Sequence, residues 1–407
     1  MIYDKPAKPG DLKKFKVEID GKDVSDAVLA AQVFQDVFTP TWSAQVNFND
    51  TANLLMILPI RSGSAITIEI ETDNSSPADG SKKFEMVVYK IGDKQFQNYA
   101  QQSYTVFCAD ESFILNQTKR IQKAYSNVKA TDAASKIVQE FLNGSLDTDA
   151  SDNTIDFIVP NWTPFITTAW LLKVAIRSKA ADYVFFQRDN HQFVMKSIEN
   201  LYASDSESTG ITLKMIPGEI RKNGDYDEDY CLAVSNYQFE HFDGMANLAS
   251  GYYKNKLVSY DLISKKWEEK IFTFGDDCAA DAAKKPWSNA LFDDAENANI
   301  SFSPKHPGMS NKPTILDTVG DWQTSRKSAI QKLDQERLLV QLPGSAGMHK
   351  WIGKNINFDL PSQEDMTGEK YDKQRRGKYL IVAIAHMIGK DSYSCNLELC
   401  KKRLESV

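Results

Sequence analysis

The sequence predicts a mainly-β α+β protein with two antiparallel β-barrel domains, an α/β middle segment and an inserted hairpin and loop region. Three observations predict it. Residues 12–108 alternate apolar and polar side chains in short runs split by turn residues. Residues 109–205 switch to helical spacing around two capped helices. The last 60 or so residues return to alternation in the same order as the end of the first block.

The chain has 407 residues and a mass of 45.9 kDa, more than one ordinary core accommodates. Apolar residues make up 42% and charged residues 25%, which excludes wholesale disorder. The longest apolar runs, Asn53–Ile60 and Leu380–Ile388, fall far short of the roughly 18 residues of a membrane span. The start, Met1-Ile2-Tyr3-Asp4-Lys5-Pro6, lacks the basic-then-apolar layout of a secretory signal, so folding in a cytoplasm is expected. Net charge is −7 and the pI is near 5.4, against an extended nucleic-acid grip. The five cysteines, Cys108, Cys231, Cys278, Cys395 and Cys400, form no metal or disulfide framework and read as reduced.

In the first block (1–108), Phe15, Val17 and Ile19 alternate with Lys16, Glu18 and Asp20 before a turn at Gly21-Lys22. Trp42, Ala44, Val46 and Phe48 alternate likewise, as do Ile66, Ile68 and Ile70. Phe84, Met86 and Val88 follow a polar loop at 73–82, and Tyr104, Val106 and Cys108 close the set. In the middle segment (109–205), Thr131 is expected to cap a helix carrying Ala134, Ile137, Val138 and Phe141, stopped by Asn143-Gly144. Thr163-Pro164 starts a second helix, apolar nearly all round and expected to be buried. Tyr183–Gln187 and Gln192–Ser197 read as a hairpin, and Ser204–Gly210 as a polar loop or linker. Residues 206–245 start a second barrel. An insertion (246–320) carries a hairpin, Leu257–Leu262 with Trp267–Phe272, and a stretch at 275–320 expected to be irregular and mobile. A helix over Asp321–Lys332 then opens the remainder of the second barrel (321–407).

The end of the chain echoes the first block. Ile66–Ile70 parallels Ile356–Leu360, Phe84–Ile91 parallels Tyr379–Ile388, and Ser103–Val106 parallels Ser392–Cys395. An internal duplication would place two similar barrels in one chain, so that three chains could close a ring of six units.

No catalytic, cofactor-binding or metal site is expected. Gly347 through Gly353-Lys354-Asn355 departs from a phosphate loop by one residue, and Asn355 replaces the magnesium-binding hydroxyl. Asp225, Asp227 and Asp229 lack the central glycine and closing glutamate of a calcium loop and read as a solvated acidic loop. The histidines, His191, His241, His306, His349 and His386, lie far apart, and His386 sits in an apolar strand as a structural residue. Trp162, Trp170, Tyr183, Phe185 and Phe186 read as packed core. The sharper alternatives are a carbohydrate-binding or host-adhesion module using Trp162, Trp267, Trp287 and Trp322, and a cell-wall hydrolase.

Several segments together resemble the central baseplate hub proteins of contractile-tailed bacteriophages. Asn161-Trp162-Thr163-Pro164-Phe165 and Ala181–Phe186 resemble the family's middle domain, and Gly251–Leu262 resembles its inserted hairpin. Leu338–Gly344, Gly353–Pro361 and Gly377–Val382 resemble its final barrel. The resemblance implies two tube-protein-like barrels per chain and a homotrimeric, pseudo-sixfold ring between a sixfold tail tube and a threefold central spike. It implies a non-enzymatic virion protein of the tail baseplate. Its partners would be the spike, the tube protein or its initiator and other baseplate components, with DNA passing through the lumen unbound. The spike is expected on a separate polypeptide.

Overall fold

The computed structural model describes residues 10–72, 80–98, 101–178, 181–214, 221–222, 225–226, 234–274, 290–305, 319–331, 333, 335–360, 372 and 375–401. The first unit contains β1 (Leu12–Ile19), β2 (Lys22–Asp23), β3 (Val28–Asp36), β4 (Ser43–Asp50), the single turn α1 (Leu54–Ile57), β5 (Ala65–Thr72), β6 (Ser81–Asn98) and β7 (Gln101–Ala109). Its strands lie in the order β3-β4-β7-β6-β5-β1, all antiparallel. The alternation seen in the sequence sends Val17, Ile19, Val33, Val46, Phe48, Ile66, Ile68, Phe84 and Val106 into one core. Gly21, at φ +75°, and Asp20, at φ +48°, reverse the chain between β1 and β2.

The middle segment contains α2 (Glu111–Thr118), β8 (Ile121–Lys129), α3 (Ala130–Phe141), β9 (Ser145–Thr148), β10 (Thr154–Trp162), α4 (Pro164–Val174), β11 (Tyr183–Asp189), β12 (Gln192–Ser197) and α5 (Ile198–Ala203). It builds a two-stranded β10-β8 sheet and a three-stranded β11-β12-β9 sheet around a second core. The expected Thr131 cap is corrected: α3 already begins at Ala130, and the Thr131 hydroxyl accepts from Ser151 N instead. Thr163 does cap α4, its Oγ1 accepting from Ile166 N at 3.4 Å with Pro164 in the first turn. However, α4 is not buried all round. It packs through Thr167, Thr168, Leu171 and Val174, and Ile166 is 54% exposed. The two threonines bury their hydroxyls by donating to the carbonyls of Thr163 and Pro164, at 2.9 and 3.0 Å.

The second unit begins with β13 (Ser208–Lys214). The short ribbon β14 (Arg221–Lys222) and β15 (Asp225–Tyr226) precedes β16 (Asn236–His241). The insertion follows with α6 (Gly244–Ser250), β17 (Lys254–Asp261), β18 (Trp267–Thr273) and β19 (Ile300–Lys305), and α7 (Val319–Gln331) leads out of it. The chain ends in β20 (Glu336–Pro343), β21 (Asn355–Asp359), β22 (Gly377–Gly389) and β23 (Tyr393–Lys401). The stretch 275–320 was expected to be irregular. Its described part instead contains β19, which pairs in parallel with β17 so that Ile300 and Phe302 face Lys256 and Val258. Ser204–Gly210 is likewise no linker: it forms a 3-10 turn at Asp205–Glu207 and the start of β13, and Glu207 is buried.

The second unit has the order β16-β20-β23-β22-β21-β13, which repeats β3-β4-β7-β6-β5-β1 strand for strand. The segments paired in the sequence echo occupy matching places: β5 with β21, β6 with β22 and β7 with β23. One pairing differs, since β13 runs parallel to β21 where β1 runs antiparallel to β5. β22 joins the units into one 13-stranded sheet. Its first residues, Gly377–Leu380, pair with β21, and Ala383–Gly389 pair with β3.

Candidate functional site: the joint and the outer face of the shared sheet

The β22–β3 joint is built around a buried histidine. Strand alternation points His386 inward, and register puts it opposite Val33 on one side and Cys395 on the other. Its Nδ1 lies 2.6 Å from the Tyr393 hydroxyl and its Nε2 2.9 Å from Gln35 Oε1. Gln35 Nε2 donates to the His349 carbonyl at 3.2 Å, and Tyr393 Oη donates to the Ser345 carbonyl at 3.3 Å. Burial, reinforced by the nearby His349 and Lys82, lowers the His386 pKa to about 3, so the imidazole is neutral. Burial also pushes the Cys395 thiol up to about 12, which leaves it inert.

A second layer ties the joint to the middle segment. Lys82, from β6, is ion-paired with Asp189 at the end of β11, and His349 Nε2 lies 3.5 Å from the other carboxylate oxygen. Burial alone would raise the Asp189 carboxyl; contacts from His349 and Lys82 override it and hold the group well below the usual range. Trp42 donates its indole N–H to Gln187 O at 3.0 Å and its backbone N–H to Gln187 Oε1 at 3.1 Å. Gln187 Nε2 in turn donates to Asp110 Oδ2 at 2.6 Å. Glu207 takes Arg188 at 2.8 Å and Lys196 at 2.6 Å with little exposure on any of the three. Arg326 reaches from α7 to the carbonyls of Leu172, Ala181 and Tyr183 at 3.0–3.2 Å, tying α7 to the middle segment. These groups are linked by hydrogen bonds and ion pairs with little exposure, which is the geometry of a packed joint.

Over the central strands the opposite face of the sheet is mostly polar with few charges, whereas across β1, β5 and β6 it carries Lys14, Lys16, Glu18, Glu69, Lys83 and Glu85. Gln32 faces Gln45, Ala30 faces Asn47, Asn47 faces Thr105, and Asn49 faces Ser103 across the first unit. Past the joint, Phe34 faces Ala385, Ala385 faces Asn396, Asn396 faces Gln341, and Gln341 faces Asn236. In the second unit a further charged group lies where Arg337 pairs with Glu398 at 3.2 Å near Asp36. A shallow groove runs over this face between β3 and β16.

The residues weighed for chemistry are dispersed. The glycine-rich stretch at 347–355 lies in a 3-10 turn (Ala346–Trp351) and the start of β21. Gly353, at φ +69°, is required because a Cβ there would lie 2.3 Å from the Phe186 ring, and Asn355 spends its amide on the Leu201 carbonyl at 2.6 Å. Asp225 lies in β15, whereas Asp227, Asp229, His306 and Trp287 fall outside the described residues. His191 sits in the β11–β12 turn at φ +54°, and His241 pairs with Glu336 at 3.1 Å. Tyr183, Phe185, Trp162 and Trp170 join the second core, but Phe186 belongs to the first. Of the tryptophans considered for sugar stacking, Trp162 and Trp322 pack against the second core and Trp267 is 63% exposed. Among the described residues there is no group of three or more His, Cys, Asp or Glu able to hold a metal ion. None of their helices is long and apolar enough to cross a membrane.

Sequence reasoning passed over Gln35, Asp189, Glu207 and Arg326. The one signal available was the histidine in an apolar strand, since a buried imidazole needs polar partners.

No protein-family model and no curated protein matches the chain. Solved structures do. The 43 kDa tail protein of prophage MuSo2 from Shewanella oneidensis aligns over 96% of this chain and 98% of its own, with 12% identity and a TM-score of 0.57. A tail protein from Neisseria meningitidis MC58 aligns over 95% and 96%, with 10% identity and a TM-score of 0.55. Over nearly its whole length, this chain therefore has a fold similar to that of these tail proteins, a mainly-β α+β fold of largely antiparallel sheets.

Proposed function

We propose that the chain is the structural hub of a contractile phage tail baseplate. Three copies close a pseudo-sixfold ring that joins the sixfold tail tube to the threefold spike and encloses the channel for DNA. The observation that carries this reading is the repeat of one strand order within a single chain, its two copies fused edge to edge through β22 and β3. A single polypeptide thus already contains one joint of such a ring, and three copies supply six similar units. On this reading the domains are the first barrel (1–108), the middle segment (109–205), the second barrel (206–245 and 321–407) and the insertion (246–320). The amide-paved central part of the outer face becomes the channel wall. Phosphate needs Lys or Arg to bind, and Gln, Asn, Ser and Thr let a polyanion pass without gripping it.

The role is mechanical, not enzymatic. Light scattering of the purified protein together with negative-stain imaging tests it: a threefold particle with a central hole is expected. A protein that stays monomeric at high concentration overturns the reading. One observation favours a second reading. The Trp267 ring is exposed beside Tyr260 at 4.6 Å, as a sugar-stacking pair would be. Glycan-array binding abolished by Trp267→Ala would support adhesion, and silence across the array would end it.

A further inference from the structure

The in-chain joint has a counterpart that is open. Matching the two units strand for strand makes β22 equivalent to β6 and β3 equivalent to β16. Register refines the match. His386 and Ile91 stand opposite Cys395 and Val106, the equivalent positions of β23 and β7. Val33 and Tyr237 stand opposite Ala44 and Val340, the equivalent positions of β4 and β20. At the joint, His386, Val33 and Gln35 are all buried, each no more than 2% exposed. Their equivalents Ile91, Tyr237 and Phe239 also point toward the core but remain only partly covered. Among the described residues, no strand pairs with the outer edge of β16 or with that of β6 beyond Val88. Each unit therefore carries one inward-facing apolar edge that lacks its cover, and the two edges are complementary in kind.

From this edge pattern we infer that β6 of one copy pairs antiparallel with β16 of the next, in the register β22 and β3 display within the chain. This rests on the ring reading above and names the surface that closes it. Transferring the observed pairs His386–Val33, Ala385–Phe34 and Met387–Gln32 sets Ile91 opposite Tyr237, Lys90 opposite Gln238 and Gly92 opposite Asn236 of the neighbour. Lys90 then lies diagonal to Glu240, an opposite-charge pair at the rim. The two kinds of joint differ chemically. The fused one is a hydrogen-bonded His386–Gln35 contact, and the one between copies is an apolar Ile91–Tyr237–Phe239 contact. That suits an interface made after folding, because its halves carry no buried polar group that would stand unpaired in the free chain.

Cysteine pairing tests the register, since directly opposed antiparallel residues meet disulfide geometry. Cys108, Cys395 and Cys400 are buried and do not compete, and Cys231 and Cys278 are replaced by serine in the background. Under mild oxidation the Lys90→Cys/Gln238→Cys protein is expected to give covalent dimers and trimers. Each single variant and the shifted Lys94→Cys/Gln238→Cys pair are expected to give none. Ile91→Asp is expected to raise the concentration for half-assembly at least ~10-fold with the folded fraction of the monomer unchanged by circular dichroism. A trimer by light scattering in which 90 and 238 do not cross-link overturns this interface and leaves the ring standing. A monomer under all conditions overturns both.

Discussion

The two units share a strand order and differ at two connections. In the first, the chain passes from β3 to β4 through the tight turn Val37–Trp42; in the second, the whole insertion lies between β16 and β20. The first unit opens with β1, antiparallel to β5. The second opens with β13, which arrives from α5 and runs parallel to β21. What stays constant is the block of four central antiparallel strands, β4-β7-β6-β5 and β20-β23-β22-β21. The difference teaches where this architecture is tolerant. Ladder hydrogen bonds and the inward side chains define the central block. A connection leaving the end of an outer strand can grow into a separate layer without disturbing either.

The strongest way to break the comparison is to empty equivalent cores. Phe84→Ala in the first unit and Phe358→Ala in the second each remove a fully buried ring and are expected to cost about 3–5 kcal/mol. Because β22 shares one sheet and one core with β3, urea unfolding should shift as a single transition in both variants. Two separated transitions would show that the units are independent bodies.

Next in size is Glu207→Gln. It removes the buried carboxylate shared by Lys196 and Arg188 while Asp147 still holds Lys196 at 2.7 Å, an expected loss of about 2 kcal/mol by thermal or chemical denaturation. This change strikes the contact between the middle segment and the second unit, and an unaffected melting curve would mean that the ion cluster is dispensable.

The joint should reveal itself through pH. His386 has a folded pKa of about 3, below its ordinary 6.5, so the unfolded chain takes up the proton first. Its contribution to stability is complete above about pH 6.5 and is lost progressively as pH falls toward 3. His386→Gln should flatten that part of the stability profile. A slope equal to that of the unsubstituted protein would remove His386 from the account.

The smallest expected effect belongs to the cap of α4. Thr163→Ala should cost about 1 kcal/mol in a denaturation curve, against a background that the two units do not share.

Much of the fold was legible because strand alternation is a local property. Val17 and Ile19, Ile66 to Ile70 and Phe84 to Val88 name their own inward face from spacing alone. The echo between the blocks was legible for the same reason, although its length could not show that β22 turns half of its edge to β3. The misreadings share one cause. Glu207 looked like part of a solvated loop because its partners, Arg188 and Lys196, come from neighbouring strands of another segment. Ile300–Lys305 looked irregular because its partner β17 lies across the insertion and Pro304 interrupts the pattern. Thr131 looked like a cap because the sequence does not show that its hydroxyl is claimed by Ser151.

By itself, then, the sequence determined the mainly-β class, the inward faces of the strands, the start of α4 at Thr163-Pro164 and the likeness between the two ends of the chain. All of these follow from neighbours within a few residues of one another. Only the tertiary structure decided that the two units merge into one sheet, that His386 finds Gln35 across the joint, and which two edges are left uncovered. Those outcomes depend on which strand edges meet in space. Backbone hydrogen-bonding groups are the same on every strand, so side-chain pattern sets the face of a strand while packing of the whole chain selects its partner.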